Sequence, residues 1–256
     1  MNRKIIKYVI FELIRNRIVW AYTAFLLIST LALFYLGQNS SKSVISVMNI
    51  ILFIIPLVCI IFGTIHFYNS REFIEFLLTQ PVNRKSVFWS EYLGIAFVFS
   101  LAFLCGVGVP VLILNLSMTS FYLILTGIIL TFVFISLAFL SSVINNDKVK
   151  GIGLSIIIWL YFAIIFDGLI LSVFYVFRDY PLEKVIIILT SLNPVDLSRI
   201  MVILQTDVSA MMGFSGATIQ NYLGSFTGKI YSFLILMVWI LVPSYFSYKV
   251  FSRKNF

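Results

Sequence analysis

Six long apolar runs, parted by polar breaks, constrain this chain more than any other feature. They lie at about residues 18–36, 47–68, 93–115, 120–144, 151–177 and 229–250. A bilayer core is about 30 Å thick, and a helix of roughly 20 apolar residues crosses it while satisfying its own backbone. Gly37-Gln38-Asn39-Ser40-Ser41-Lys42 closes the first run, and Asn145-Asn146-Asp147-Lys148-Val149-Lys150 parts the fourth from the fifth. Of the 256 residues, 61% are hydrophobic and 11% charged, with a mean hydropathy of +1.06. A soluble domain, at roughly 45–50% apolar, could not hide that much apolar surface. The expected fold is an all-α membrane protein with six transmembrane helices, forming a single transmembrane domain over residues 1–256.

Lys and Arg set the expected orientation. With the N-terminus inside, the cytoplasmic segments hold Arg3, Lys4, Lys7, Arg15, Arg17, Arg71, Arg84, Lys85, Lys148, Lys150, Lys249, Arg253 and Lys254. Lys42, Arg178, Lys184, Arg199 and Lys229 remain outside, mostly in one long loop that weighs little. Both termini are therefore expected in the cytoplasm. At the N-terminus, residues 1–17 place Ile5, Ile6, Val9, Ile10 and Leu13 on one side of a helix, with Lys4, Lys7 and Arg15 opposite. That pattern fits an interfacial helix with its apolar stripe in lipid and its cations near anionic headgroups. The plainer alternative is an extension of the first span. No small-x-small cleavage site marks a removable signal.

Several function classes are poorly supported. A net charge of +8 invites a nucleic-acid reading, but no basic patch has room to form a soluble domain, so no nucleic acid is expected. Cys59 and Cys105 lie inside apolar runs and read as small buried hydrophobes. Together with the single histidine, His66, they give no metal-binding spacing. His66 itself reads as a span-end residue. Gly228-Lys229 is followed by Ile230, and the preceding glycine of a phosphate-binding loop is missing. No catalytic motif such as Gly-x-Ser-x-Gly appears. The chain is expected to hold no cofactor and to be no enzyme by itself.

The connection at residues 69–92 is the most informative polar segment. Asn69 is placed to cap a short helix, with Glu72 reaching back to it, and Glu72 and Glu75 suit a helix N-terminus. Pro81 disfavours helical geometry at Gln80 and ends the helix there. Phe73, Phe76 and Leu77 would then stand exposed, as on a helix that enters a partner's groove. The alternative is a frayed end of the second span lying on lipid. The segment Leu77-Leu78-Thr79-Gln80-Pro81 with Arg84-Lys85 resembles the coupling motif of the ABC-2 class of ABC transporter permeases. The resemblance implies a coupling helix seated on a separate ATPase subunit that holds ATP and magnesium. It assigns that contact to Glu72, Phe73, Glu75, Phe76, Leu77, Gln80, Pro81 and Arg84. Arg71-Glu72-Phe73 departs from the small residues common in that class.

The outer connection, residues 178–228, is not simply hydrophilic. Val185 to Leu192 is apolar, Asn193-Pro194 forces a turn, and Asp196 to Gln205 reads as a second short helix. Such segments must dip into a protein-lined site or lie at the outer interface. Paired short external helices are also what the ABC-2 resemblance implies. Within that class the chain is most similar to the permeases of Nos-type copper-processing systems, which mature nitrous oxide reductase. The matching stretches are Leu93-Gly94, Phe166-Asp167, Leu192-Asn193-Pro194-Val195-Asp196-Leu197-Ser198-Arg199-Ile200 and Ser209-Ala210-Met211-Met212-Gly213-Phe214-Ser215-Gly216-Ala217. This implies a homodimer in the bacterial inner membrane with two ATPase subunits and a periplasmic β-helical copper-handling protein. Asn193, Pro194, Asp196, Arg199, Met211 and Met212 would face that external partner.

Three features carry chemistry that needs weighing. Asp167 inside span five costs roughly 2.5–3.5 kcal/mol on insertion scales, so it should face the bundle or a dimer seam, or carry a proton; structural and functional roles are both open. Met211-Met212 offer thioethers suited to Cu(I), yet adjacent methionines diverge on a helix and no outer Cys or His supports them. Asp196 and Arg199 read most simply as an ion pair. The function expected is a permease that couples a partner's ATP hydrolysis to export or to mechanical signalling. A general ABC-2 exporter of lipid, peptide or drug is the alternative. A membrane enzyme or channel without an ATPase is the third reading.

Overall fold

The computed structural model describes residues 3–37, 40–177, 183–206, 220 and 222–254, and among these there is no strand. Six helical segments are long and apolar enough to cross a membrane: Arg17–Leu36, Lys42–Asn69, Arg84–Leu114, Met118–Ile144, Lys148–Val173 and Phe226–Arg253. All six expected spans are present, five of them longer than expected and the fifth in chain order shifted toward its start, at Lys148–Val173. Span three begins at Arg84 rather than near residue 93, because Asn83 accepts a hydrogen bond from the Lys85 N–H at 3.0 Å and starts the helix early.

In chain order the elements are α1 (Arg3–Ile14), α2 (Arg17–Leu36), α3 (Ser40–Asn69), α4 (Arg71–Thr79) and α5 (Arg84–Phe103), followed by a π-helical turn at Leu104–Gly108 and α6 (Val109–Leu114). Then come α7 (Met118–Ile144), α8 (Lys148–Leu160), a second π-helical turn at Tyr161–Ile165, α9 (Phe166–Val176), α10 (Glu183–Ser191), α11 (Pro194–Ile203) and α12 (Phe226–Arg253). Proline inside a helix removes an amide donor and crowds the preceding turn. At Pro110 the widened turn just before it relieves that crowding, whereas α3 runs on through Pro56.

The most buried helix, α7, is the centre of the bundle, with α3, α5, α11 and α12 packed against it. Small polar residues fasten the central helices. Thr64 of α3, Ser141 of α7 and Ser155 of α8 bring their hydroxyls together, at 2.7 Å for Thr64–Ser155 and 2.6 Å for Ser141–Ser155. Small hydroxyl residues let helix axes approach and bond where water is absent. Spans one, five and six are the least buried and carry apolar side chains outward.

Helix α1 corrects an expectation. Ile5, Val9 and Leu13 do not face lipid; they are buried, and α1 packs along α5. The missing side chain of Gly94 makes room, since a Cβ there would meet Val9 at 2.7 Å. The face left outside carries Tyr8, Phe11 and Ile14, with the Arg15 guanidinium 4.7 Å from the Phe11 ring centre.

Of the two courses open to the outer connection, residues 183–206 take the dip into a protein-lined site. The corner between α10 and α11 reaches deep into the bundle. Trp239, midway along α12, donates its indole N–H to the Ser191 carbonyl at 3.2 Å. Asn193 donates to the carbonyl of Phe162, midway along span five, at 2.9 Å. These two helices therefore dip inward from one end of the bundle and return. At that end Thr119 donates to the Gln205 carbonyl at 2.9 Å, and Lys229 to the Gln205 side chain at 3.2 Å.

Candidate functional site

The end of the bundle that carries α4 also gathers the 145–147 loop and the end of α12. Helix α4 is strongly two-sided. Ile74 and Leu77 are buried, and the Phe73 ring stacks on Tyr8 of α1 with centres 4.9 Å apart. Arg71 pairs with Glu75 one turn on, at 2.9 Å, and also reaches the Asn146 carbonyl at 3.4 Å. Gln80 adopts extended geometry with ψ 163°, and the helix stops at Thr79 as Pro81 requires. Glu72, Phe76 and Gln80, spaced four residues apart, stand exposed on the outer side, as does Pro81. Phe76 is 58% exposed.

Three expectations for this segment change. Of the three hydrophobic residues expected to project, only Phe76 does so fully; Leu77 is buried and Phe73 half-covered by Tyr8. Asn69 does not cap α4. Ser70 occupies that position without a side-chain cap, and Asn69 instead accepts from the Lys148 ammonium at 2.8 Å. Arg84 turns toward the chain's own C-terminal end, donating to the carbonyls of Ser252 at 3.3 Å and Lys254 at 2.7 Å. Lys254 in turn donates to the Val143 carbonyl at 2.7 Å. Burial, with Arg71 nearby, pushes the Lys254 ammonium below the usual lysine pKa.

A second polar group lies where α11 meets span five. Asn193 is fully buried; its amide donates to Phe162 O and, at 2.8 Å, to Asp196, while its oxygen caps α11 by accepting the Val195 N–H at 3.0 Å. Pro194 opens the helix where its missing N–H is harmless. Arg199 bridges Asp196 at 3.0 Å and Asp167 at 3.3 Å. The expected Asp196–Arg199 pair is present, and it also recruits Asp167. Asn193, Pro194 and Asp196 are buried inside the chain, which corrects their expected placement on an external surface: α11 sits in the bundle, not outside it. Met211 and Met212 lie outside the described residues.

Sequence reasoning passed over one pair altogether. His66 near the end of α3 and Glu91 of α5 are both buried, with Nε2 and Oε2 3.3 Å apart. A carboxylate within an apolar span was the available signal; it was hidden by reading the start of span three as a loop.

Together these features define a multi-pass, all-α membrane protein whose bundle ends in a short amphipathic helix on one side and re-entrant helices on the other. The chain belongs to the ABC-2 family of transporter proteins, whose match spans residues 5–256; it is an ABC-2 type permease subunit of an ABC transporter. It is 22% identical over 264 aligned residues to the probable ABC transporter permease protein NosY of Stutzerimonas stutzeri, covering 94% of both chains. It is 26% identical over 183 residues to the protein of the same name from Pseudomonas aeruginosa, covering 67% of this chain and 66% of that one.

Proposed function

We propose that this chain is the permease of a Nos-type copper-processing ABC system, with α4 as its ATPase-coupling helix. Two copies and two ATPase subunits make the complex, with both termini of each permease in the cytoplasm of a bacterial inner membrane. The observation that carries the reading is the outer face of α4. Its inner side is fixed by Ile74, Leu77 and the Tyr8–Phe73 stack, while Phe76 is left 58% exposed between Glu72 and Gln80. A large apolar side chain is worth roughly 1.5–3 kcal/mol when fully buried, and a rigid helix presenting one such anchor suits a partner's groove. ATP and magnesium are held by the partner. Its movement displaces α4, the spans tilt, and the far end acts on a periplasmic β-helical copper-handling protein.

The similarity to two proteins named NosY, one over 94% of both chains, supports the copper-processing assignment. A second reading, a general exporter of lipid, peptide or drug, draws on a separate feature. At the end of the bundle away from α4 an open cavity of about 820 Å³ is lined by Ile28, Leu31, Tyr35 and Leu114, an apolar groove that suits an acyl chain.

Co-purification of the tagged permease with its ATPase tests the coupling assignment. Phe76→Asp is expected to leave the permease folded in the membrane and to release the ATPase. Equal recovery of ATPase from wild type and Phe76→Asp defeats the assignment. Finding a periplasmic β-helix protein encoded beside the permease separates the copper-processing reading from the general exporter.

A further inference from the structure

The junction between α3 and α4 holds a polar cluster for which the coupling face has no use. His66 and Glu91 are 6% and 2% exposed, and the Phe62 ring stacks near the imidazole, 6.1 Å between centres. His66 Nε2 lies 3.3 Å from Glu91 Oε2 and 3.2 Å from the Ser70 hydroxyl. Ser70 is the residue at which α3 gives way to α4, with ψ 2°. A serine there ordinarily accepts an N–H from the first turn of the helix it starts. Ser70 makes no such bond; its hydroxyl turns back to the imidazole instead. Glu91 adds an independent observation: its Oε1 is buried without a hydrogen-bond partner. Ionisable groups inside a span are costly and mark function by default. Apolar residues of similar volume would pack this position at least as well, so packing alone does not account for the pair.

We propose that His66, held by Glu91, is a positioning residue that sets the angle of α4 to spans two and three by way of Ser70. The proposal rests on the reading of α4 as the ATPase-coupling helix. Nε2 carries one proton or one lone pair, so the Ser70 hydroxyl at the base of α4 and the Glu91 carboxyl on α5 share it, and a displacement of α4 that carries Ser70 away changes the contact to Glu91. Hydrogen bonds have preferred directions, whereas apolar contact is non-directional; the cluster thus links rotation of α4 to span three, which packing alone would let slip.

The test uses the complex with its ATPase. Thr79, at the exposed end of α4, and Val149, exposed at the start of α8, are replaced by cysteine in a Cys105→Ser background, Cys59 being buried. Pulsed EPR between spin labels at these sites reads the position of α4 with and without a non-hydrolysable ATP analogue. The wild-type distribution is expected to be narrow and to shift with nucleotide. His66→Ala and Ser70→Ala should broaden it and lose the shift, with ATPase recovery unchanged because the Phe76 face is intact. His66→Gln, which keeps a nitrogen near Ser70 and Glu91, should restore the shift. An unchanged distribution and shift in both alanine variants, with ATPase retained, overturns this proposal alone. So does a His66→Gln that behaves like His66→Ala. Should His66→Ala fail to fold, Ser70→Ala decides, and a wild-type shift there overturns the proposal. Absence of ATPase from the wild-type permease would overturn the coupling reading, and this proposal with it.

Discussion

Asn193 donates its side-chain amide to the main-chain carbonyl of Phe162, 2.9 Å away and fully buried. A π-helical turn disturbs the regular bonding of span five at Tyr161–Ile165, and such turns concentrate at functional sites. Here the re-entrant corner supplies a partner to a carbonyl of that turn. Asn193→Ala would remove the bond to that carbonyl, at about 0.5–1.5 kcal/mol, and the cap of α11, at about 0.5–2 kcal/mol. A clear loss of thermal stability in detergent is expected, larger than for Thr206→Ala at the end of the same segment. Equal melting of the two variants would mean the corner is not anchored as described.

Gly94 and Val9 seat α1 on α5. A methyl group at position 94 would lie 2.7 Å from Val9 Cγ1, and β-branched valine has little freedom to retreat. Gly94→Ala should cost about 1–3 kcal/mol by overpacking, and Gly94→Leu should lift α1. Maleimide labelling of Leu13→Cys in a Cys105→Ser background reports the result: slow with Gly94 intact, where this position is buried, and fast with Gly94→Leu. Slow labelling in both would place α1 elsewhere.

The spans were legible because a bilayer demands long apolar runs and the chain supplies six. The start of span three was not, since Arg84, Lys85 and Glu91 interrupt the apolar pattern there. Only the fold shows that Asn83 caps the helix and that Glu91 has His66 as a neighbour. Helix α1 was recognised as amphipathic, but its period could not say whether Ile5, Val9 and Leu13 meet lipid or protein, since both are apolar. For the same reason α11 read as external: Asn193 and Asp196 look like surface residues until Phe162 and Arg199 are seen to bond them. The exposed Phe76 was found because Pro81 and the helix-start acids bracket a short helix, whereas the burial of Leu77 depends on neighbours remote in sequence.

Topology follows from the Lys and Arg distribution. Reporter fusions after Lys85, Lys150 and Phe256 should report the cytoplasm, and those after Ser41 and Gln220 the outer side. A cytoplasmic signal at Gln220 would contradict six crossings.

Lys254 yields a pH dependence. Burial and Arg71 lower its pKa in the folded chain, while the unfolded chain keeps the ordinary value of 10.5. The folded state therefore binds fewer protons between the two values, and stability rises with pH as the buried charge is lost. Lys254→Met lacks this term. Wild-type melting should gain on Lys254→Met as pH climbs from 8 toward 10.5; a constant difference would refute the shift.

Arg84 allows a structural role to be separated from a coupling role. Its guanidinium donates to the carbonyls of Ser252 and Lys254, at the end of α12 where carbonyl oxygens have run out of amide partners. A cation there is worth typically 0.3–1 kcal/mol through the helix dipole. Arg84 is half-buried, so water would replace part of what is lost. Arg84→Ala should lower the melting temperature slightly and loosen the C-terminal end, seen as faster proteolysis after Arg253. Arg84→Lys should recover part of the stability, because it keeps the charge but not the spread of donors. ATPase recovery should stay at the wild-type level in both, in contrast to Phe76→Asp. Loss of the ATPase from Arg84→Ala with unchanged melting would instead put Arg84 in the coupling contact, as its place in the motif implied, and make its bonds to the C-terminal end incidental.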